Sequence, residues 1–99
     1  MPVVKAERVE GMDQLEKPGQ YVLTRLKDQD GFHGLIAICP CGSCGLMPAL
    51  HFSTHPGAGP KWTWDGNEAA TTLTPSVQRN HPNGCRWHGY LTAGEWRPV

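Results

Sequence analysis

Gly34-Leu35-Ile36-Ala37-Ile38-Cys39-Pro40-Cys41-Gly42-Ser43-Cys44-Gly45 carries an apolar run straight into three closely spaced cysteines. Leu35 to Ile38 is short, uncharged and rich in β-branched residues, which predicts a buried strand rather than a helix. Residues 39–45 predict a tight loop. Cys41 and Cys44 stand with two residues between them, close enough for one turn to aim both thiols at a single ion. Gly45 behind them can take the positive φ that such a turn demands. A strand that empties into a pair of this kind predicts a small β domain with a metal site.

The form recurs once, far along the chain. Cys85-Arg86-Trp87-His88-Gly89 again holds two ligand types with two residues between them, followed by glycine. Tetrahedral zinc is commonly held by two such pairs from separate loops. Five groups then compete for four positions: Cys39, Cys41, Cys44, Cys85 and His88. The matched spacing favours Cys41, Cys44, Cys85 and His88. Cys39 and Cys41 with the distal pair is the alternative. Zinc is the expected ion. Three cysteines and a histidine also suit a [2Fe–2S] centre, and Cys-x-x-His is half of a Rieske pattern, but the Cys-x-His half is absent.

The rest of the chain sets the context. With 99 residues it has room for one domain, spanning 1–99. Hydrophobic residues reach 38%, under the usual ~45–50%, so the core is modest and a metal would add needed stability. The 12 glycines and 9 prolines predict many turns and short strands. Lys plus Arg balance Asp plus Glu at 9 each, without a basic run, which argues against nucleic acid and anionic membranes as partners. Neither an apolar leader segment nor a membrane-spanning run is visible, so a cytoplasmic location is expected. Thiols stay reduced there, and clustered cysteines read as ligands before disulfides.

Strands are expected at Tyr21–Leu26, Gly34–Cys39, Leu46–Ser53, Lys61–Trp64, Thr71–Val77 and in a closing hairpin from Gly89 to Arg97. Asp28-Gln29-Asp30-Gly31, Asp65-Gly66-Asn67 and Asn80-His81-Pro82-Asn83-Gly84 read as turns. Residues 1–17 form a short helix or an irregular lead-in, with one helical turn before Pro18-Gly19. The fold class is an all-β or β-dominated small single domain of six or seven short strands, stabilised by the Cys/His site.

Other candidate chemistry is thinner. His33, His51, His55 and His81 lie in turns or at strand ends. Pro56 and the glycines after it argue against a helix that would join His51 to His55. Ser76 after Pro75 invites a nucleophile reading, but no activating partner is indicated, and a turn serine bonding its own backbone is the simpler account. Trp62, Trp64, Trp87 and Trp96 read as core or sheet-face residues before they read as a binding platform.

Taken in order, the chain presents Pro18-Gly19-x-Tyr21-Val22, Cys39-Pro40-Cys41-Gly42, Trp62-x-x-Asp65-Gly66, Leu73-x-Pro75-Ser76-Val77, Cys85-Arg86-x-His88 and Gly94-x-Trp96. This resembles a family of short bacterial and phage proteins of unknown function, over about residues 9 to 97. Their pattern includes Cys-Pro-Cys-Gly-Cys-Gly, Leu-x-Pro-Ser-Ile and Cys-x-x-His. The resemblance implies a metal-binding domain, some of whose relatives lie beside ubiquitin-like conjugation genes. Ser43 is an insertion in the first motif, which leaves open which of Cys39, Cys41 and Cys44 are the equivalent ligands. The leading expectation is a non-enzymatic module with a structural zinc site of Cys3His type, acting through a protein partner in a phage or bacterial pathway. The alternatives are an iron–sulfur electron carrier and a metal-dependent or thiol-based hydrolase.

Overall fold

Alternating burial builds two antiparallel sheets in a computed structural model that describes residues 2–27, 29–79 and 85–99. The strands are β1 (Val4–Lys5), β2 (Tyr21–Thr24), β3 (Gly34–Ala37), β4 (Ala49–His51), β5 (Thr63–Trp64), β6 (Leu73–Gln78), β7 (His88–Thr92) and β8 (Glu95–Pro98). The larger sheet has the order β1-β8-β7-β6-β5 and the smaller β2-β3-β4. Each expected strand has a counterpart: β2 to β5 are shorter than expected, β6 is shifted towards its C-terminal end, and the closing hairpin runs from His88 to Pro98, one residue longer at each end. β1 is an addition that no apolar run announces, since Val4 and Lys5 become a strand by pairing with Trp96 and Glu95. The helical turn before Pro18 is a 3₁₀ turn at Met12–Gln14. The expected turn at 80–84 lies outside the described residues, as does Asp28. No described helix is long and apolar enough to cross a membrane.

Two isolated parallel bridges join the sheets. Arg8, just past β1, pairs with Tyr21 of β2, and Phe52, just past β4, pairs with Trp62 ahead of β5. The pairings thereby form a closed ring around one core. Closure of this kind removes most of the free edges that an open sheet exposes. The inward residues include Tyr21, Leu35, Phe52, Leu73, Leu91, Trp87 and Trp96, each at most 1% exposed. Burying a side chain of this size contributes about 1.5–3 kcal/mol. The tryptophans serve the core rather than a platform. Trp87 and Trp96 meet edge to face at 5.8 Å, and Trp64 stacks on Phe52 at 4.9 Å. Their polar handles are anchored where the chain allows: the Trp96 indole donates to the Gly19 carbonyl at 2.8 Å. Tyr21, also in the core, donates its hydroxyl to the Glu68 carbonyl at 2.7 Å.

The outward residues of β6 and β7 face solvent. Burial runs in strict alternation from Cys85 to Leu91, with Cys85, Trp87, Gly89 and Leu91 inside and Arg86, His88 and Tyr90 outside. That period of two decides where the functional groups point.

Candidate functional site

The thiols assemble first. Backbone pairing extends β3 past Ala37, because Ile38 donates to Gln20 and Cys39 to Leu46. This delivers Cys39 into the interior, 1% exposed. The loop then folds back over it through Cys41 and Cys44, with Gly42 and Gly45 at positive φ. Cys85 arrives from the other sheet, on the approach to β7. The four sulfurs of Cys39, Cys41, Cys44 and Cys85 lie within 4.8 Å of one another. Cys39 and Cys85 approach to 3.4 Å, as do Cys41 and Cys44. Tetrahedral Zn–S bonds of about 2.3 Å put sulfurs roughly 3.8 Å apart, so the donor set fits one ion at its centre.

The surroundings favour a thiolate at Cys41. Burial alone pushes the Cys41 thiol up, but N–H groups of Ser43 and Cys44, each 3.4 Å from its sulfur, hold it down to about 6. Burial pushes Cys39 up to about 12, and it raises Cys44 as well, against an N–H from Leu46. The thiols that are still protonated give up their protons when a cation binds. Four protein ligands close a tetrahedral shell and leave no position for water.

His88 stands apart from this cluster, and the expectation that it is a ligand is corrected. Cys85-x-x-His88 looks like a knuckle, but the segment is extended. Residues three apart on an extended chain point to opposite faces. Cys85 therefore looks inward, while the His88 ring looks outward and is exposed. The fourth thiol in its place is Cys39, which the matched spacing disfavoured. Gly89 also serves differently from Gly45. It sits in the strand because a Cβ there would lie 2.2 Å from the Arg97 carbonyl oxygen and 2.7 Å from the Trp87 ring.

What His88 does meet is a serine. Its Nε2 lies 3.0 Å from Ser76 Oγ. Ser76 is not in a turn. It sits on β6, half-buried, one strand over from His88. The register between β6 and β7 jumps between Leu73↔Leu91 and Val77↔Gly89, so Thr74, Pro75 and Ser76 together oppose Tyr90. This bulge, whose Thr74–Pro75 peptide is cis, brings Ser76 onto the same outer face as His88. With the ring proton on Nδ1, Nε2 accepts from the hydroxyl. A serine hydroxyl against an imidazole nitrogen is the arrangement that activates a nucleophile. Sequence reasoning missed the partnership, although the signal was present. Gln78 pairs with His88 across β6 and β7, and Ser76 is the next outward residue along.

The chain belongs to the BubE family. The family is described as a bacterial ubiquitination-like system serine protease, and its model matches residues 6–99. No curated protein and no solved structure matches the chain. The family's bacterial setting agrees with the resemblance read from the motifs.

Three further histidines are placed by the structure. His33 is clamped between the Thr54 hydroxyl at 2.9 Å and the Asp30 carbonyl at 3.0 Å, so both ring nitrogens are engaged. His51 and His55 stack face to face at 3.8 Å, contrary to the expectation that they stay apart. No helix is needed: a turn at Ser53-Thr54, closed by the His55 N–H on the Phe52 carbonyl, folds one ring onto the other. His81 lies outside the described residues.

Proposed function

We propose that this chain is a serine hydrolase of peptide or isopeptide bonds, with Ser76 as nucleophile and His88 as general base, on a scaffold pinned by a zinc ion. The observation that carries the reading is the 3.0 Å contact from Ser76 Oγ to His88 Nε2. The serine-protease description of the family supports it. Of the three serines, Ser43 lies against the Cys41 sulfur in the metal loop, and Ser53 has no imidazole contact among the described residues. This reading replaces the non-enzymatic module expected from the cysteines alone.

The chemistry is a general acyl-transfer sequence. Ser76 Oγ attacks the scissile carbonyl carbon as His88 Nε2 takes the hydroxyl proton. The C–N bond breaks and the imidazolium returns that proton to the leaving amine. Water, deprotonated by the same ring, then hydrolyses the Ser76 ester. The protein contributes positioning, because the dyad sits on adjacent strands of a closed sheet rather than on mobile loops.

The metal contributes stability rather than chemistry. Cys39, Cys41, Cys44 and Cys85 would hold it, and a closed four-thiolate shell offers no open position. One ion suits sulfurs gathered within 4.8 Å, whereas a two-iron cluster spreads its thiolates over two metal atoms, which favours zinc. Cys85 lies three residues before His88, so the ion also ties the strand of the base to the smaller sheet. A ubiquitin-like protein joined to a target is the partner class that the family description suggests.

The test is hydrolysis of p-nitrophenyl acetate and of a ubiquitin-like protein carrying a C-terminal fusion. Ser76→Ala should abolish both activities, and His88→Ala should slow them by roughly 10²–10⁴-fold. Both variants should retain the metal. Unchanged turnover in folded Ser76→Ala would overturn the assignment.

A further inference from the structure

We propose that Trp62 is a positioning residue that sets the backbone of Ser76, an inference that rests on reading Ser76 as the nucleophile. β6 lacks a full partner along its outer side. β5 pairs with it only at Thr63↔Thr74 and Trp64↔Leu73. One residue earlier the chain turns to the other sheet: the Trp62 N–H donates to the His51 carbonyl at 2.9 Å, and the Ser53 N–H donates to the Trp62 carbonyl at 2.8 Å. Pro75 has no N–H to offer. The nucleophile therefore sits in a bulge whose outer edge has no strand beside it among the described residues.

Parity fixes which way its carbonyl points. Val77 pairs with Gly89, and two residues on Arg79 donates to the Trp87 carbonyl, so these residues turn toward β7. Ser76, one residue before Val77, turns its carbonyl the other way. There the Trp62 indole Nε1–H donates to it at 3.1 Å. The side chain supplies the donor that β5 would have supplied had it continued. Ser76 is thus held from three directions: by β7 through its neighbour Val77, by the indole at its carbonyl, and by His88 at its hydroxyl.

A half-buried indole generally finds an acceptor, so the bond by itself is also what mere packing would produce. The kinetics separate the two roles. Displacing a reacting group by ~1 Å can cost up to 10²-fold in rate. Trp62→Phe keeps a ring in place and deletes the donor. With folding and metal content confirmed, its Ser76 should be acylated by a fluorophosphonate probe about tenfold more slowly than wild type. With p-nitrophenyl acetate the loss should fall in kcat and leave KM unchanged. A folded Trp62→Phe protein acylated at the wild-type rate would overturn the inference and leave the Ser76 assignment standing. Should the wild-type chain itself resist the probe at Ser76, the nucleophile assignment fails and the positioning role with it. If Trp62→Phe does not fold, 3-benzothienylalanine at position 62, which preserves the bicyclic shape without the N–H, gives the same comparison.

Discussion

Cys39 is the residue that spacing undervalues most. It follows an apolar strand and reads as a small buried hydrophobe, yet burial is what brings its sulfur within 3.4 Å of Cys85. Neither member of this inner pair has a substitute, so Cys39→Ser and Cys85→Ser should each lose the metal and at least about 4 kcal/mol of stability. His88→Ala should keep both, and thermal melts with metal analysis will separate the groups. Cys41 governs the acid limit. Its thiol is held to about 6, below its ordinary value of 9.0. A depressed group stabilises the fold in full above its unfolded value and loses that contribution as pH falls through the folded one. With the metal chelated, the stability that Cys41 contributes should therefore decline as the pH falls from about 9 and be gone below about 6, which thermal melts of the chelated chain across that range will follow. The four thiols were legible from residue types alone. Which four groups converge was not, because that depends on the extended course of the chain at 85–88.

At the scale of the strand, the alternation from Cys85 to Leu91 has two effects. It sends a thiol inward to the cysteine cluster and an imidazole outward to Ser76. Gly89, next along the same strand, permits the close approach of β8. Gly89→Ala would press a methyl group onto the Arg97 carbonyl and the Trp87 ring. We expect a loss of about 3 kcal/mol, as overpacking typically brings, together with slower turnover because His88 shifts with its strand. Melting curves and ester hydrolysis check this. Most strands were legible as β-rich runs between glycine and proline turns. β1 was not, since Val4-Lys5 owes its conformation to its partners Trp96 and Glu95. The bulge at Thr74–Ser76 also escaped notice, because a register jump is a relation between two strands that neither one displays alone.

In the whole molecule, the ring of pairings is closed by two isolated bridges, and four thiols from both sheets meet inside it. β3 and β7 belong to different sheets, and Cys39 and Cys85 join them through 46 residues of chain separation. One zinc per chain is expected from elemental analysis. Chelation should lower the melting temperature by more than ~10 °C, since about 1 kcal/mol moves the midpoint of a domain this size by roughly 4–8 °C. Hydrolysis should fall in parallel, although no metal ligand touches the dyad, because the strand of His88 is anchored through Cys85. The proposed catalysis stands or falls on Ser76 as the nucleophile. Tandem mass spectrometry of the wild-type chain after reaction with a fluorophosphonate tests it directly. One adduct per chain is expected, on the peptide containing Ser76, and none on the His88→Ala variant at matched times. An adduct on Ser43 or Ser53, or no adduct on a folded, metal-loaded chain, would contradict it.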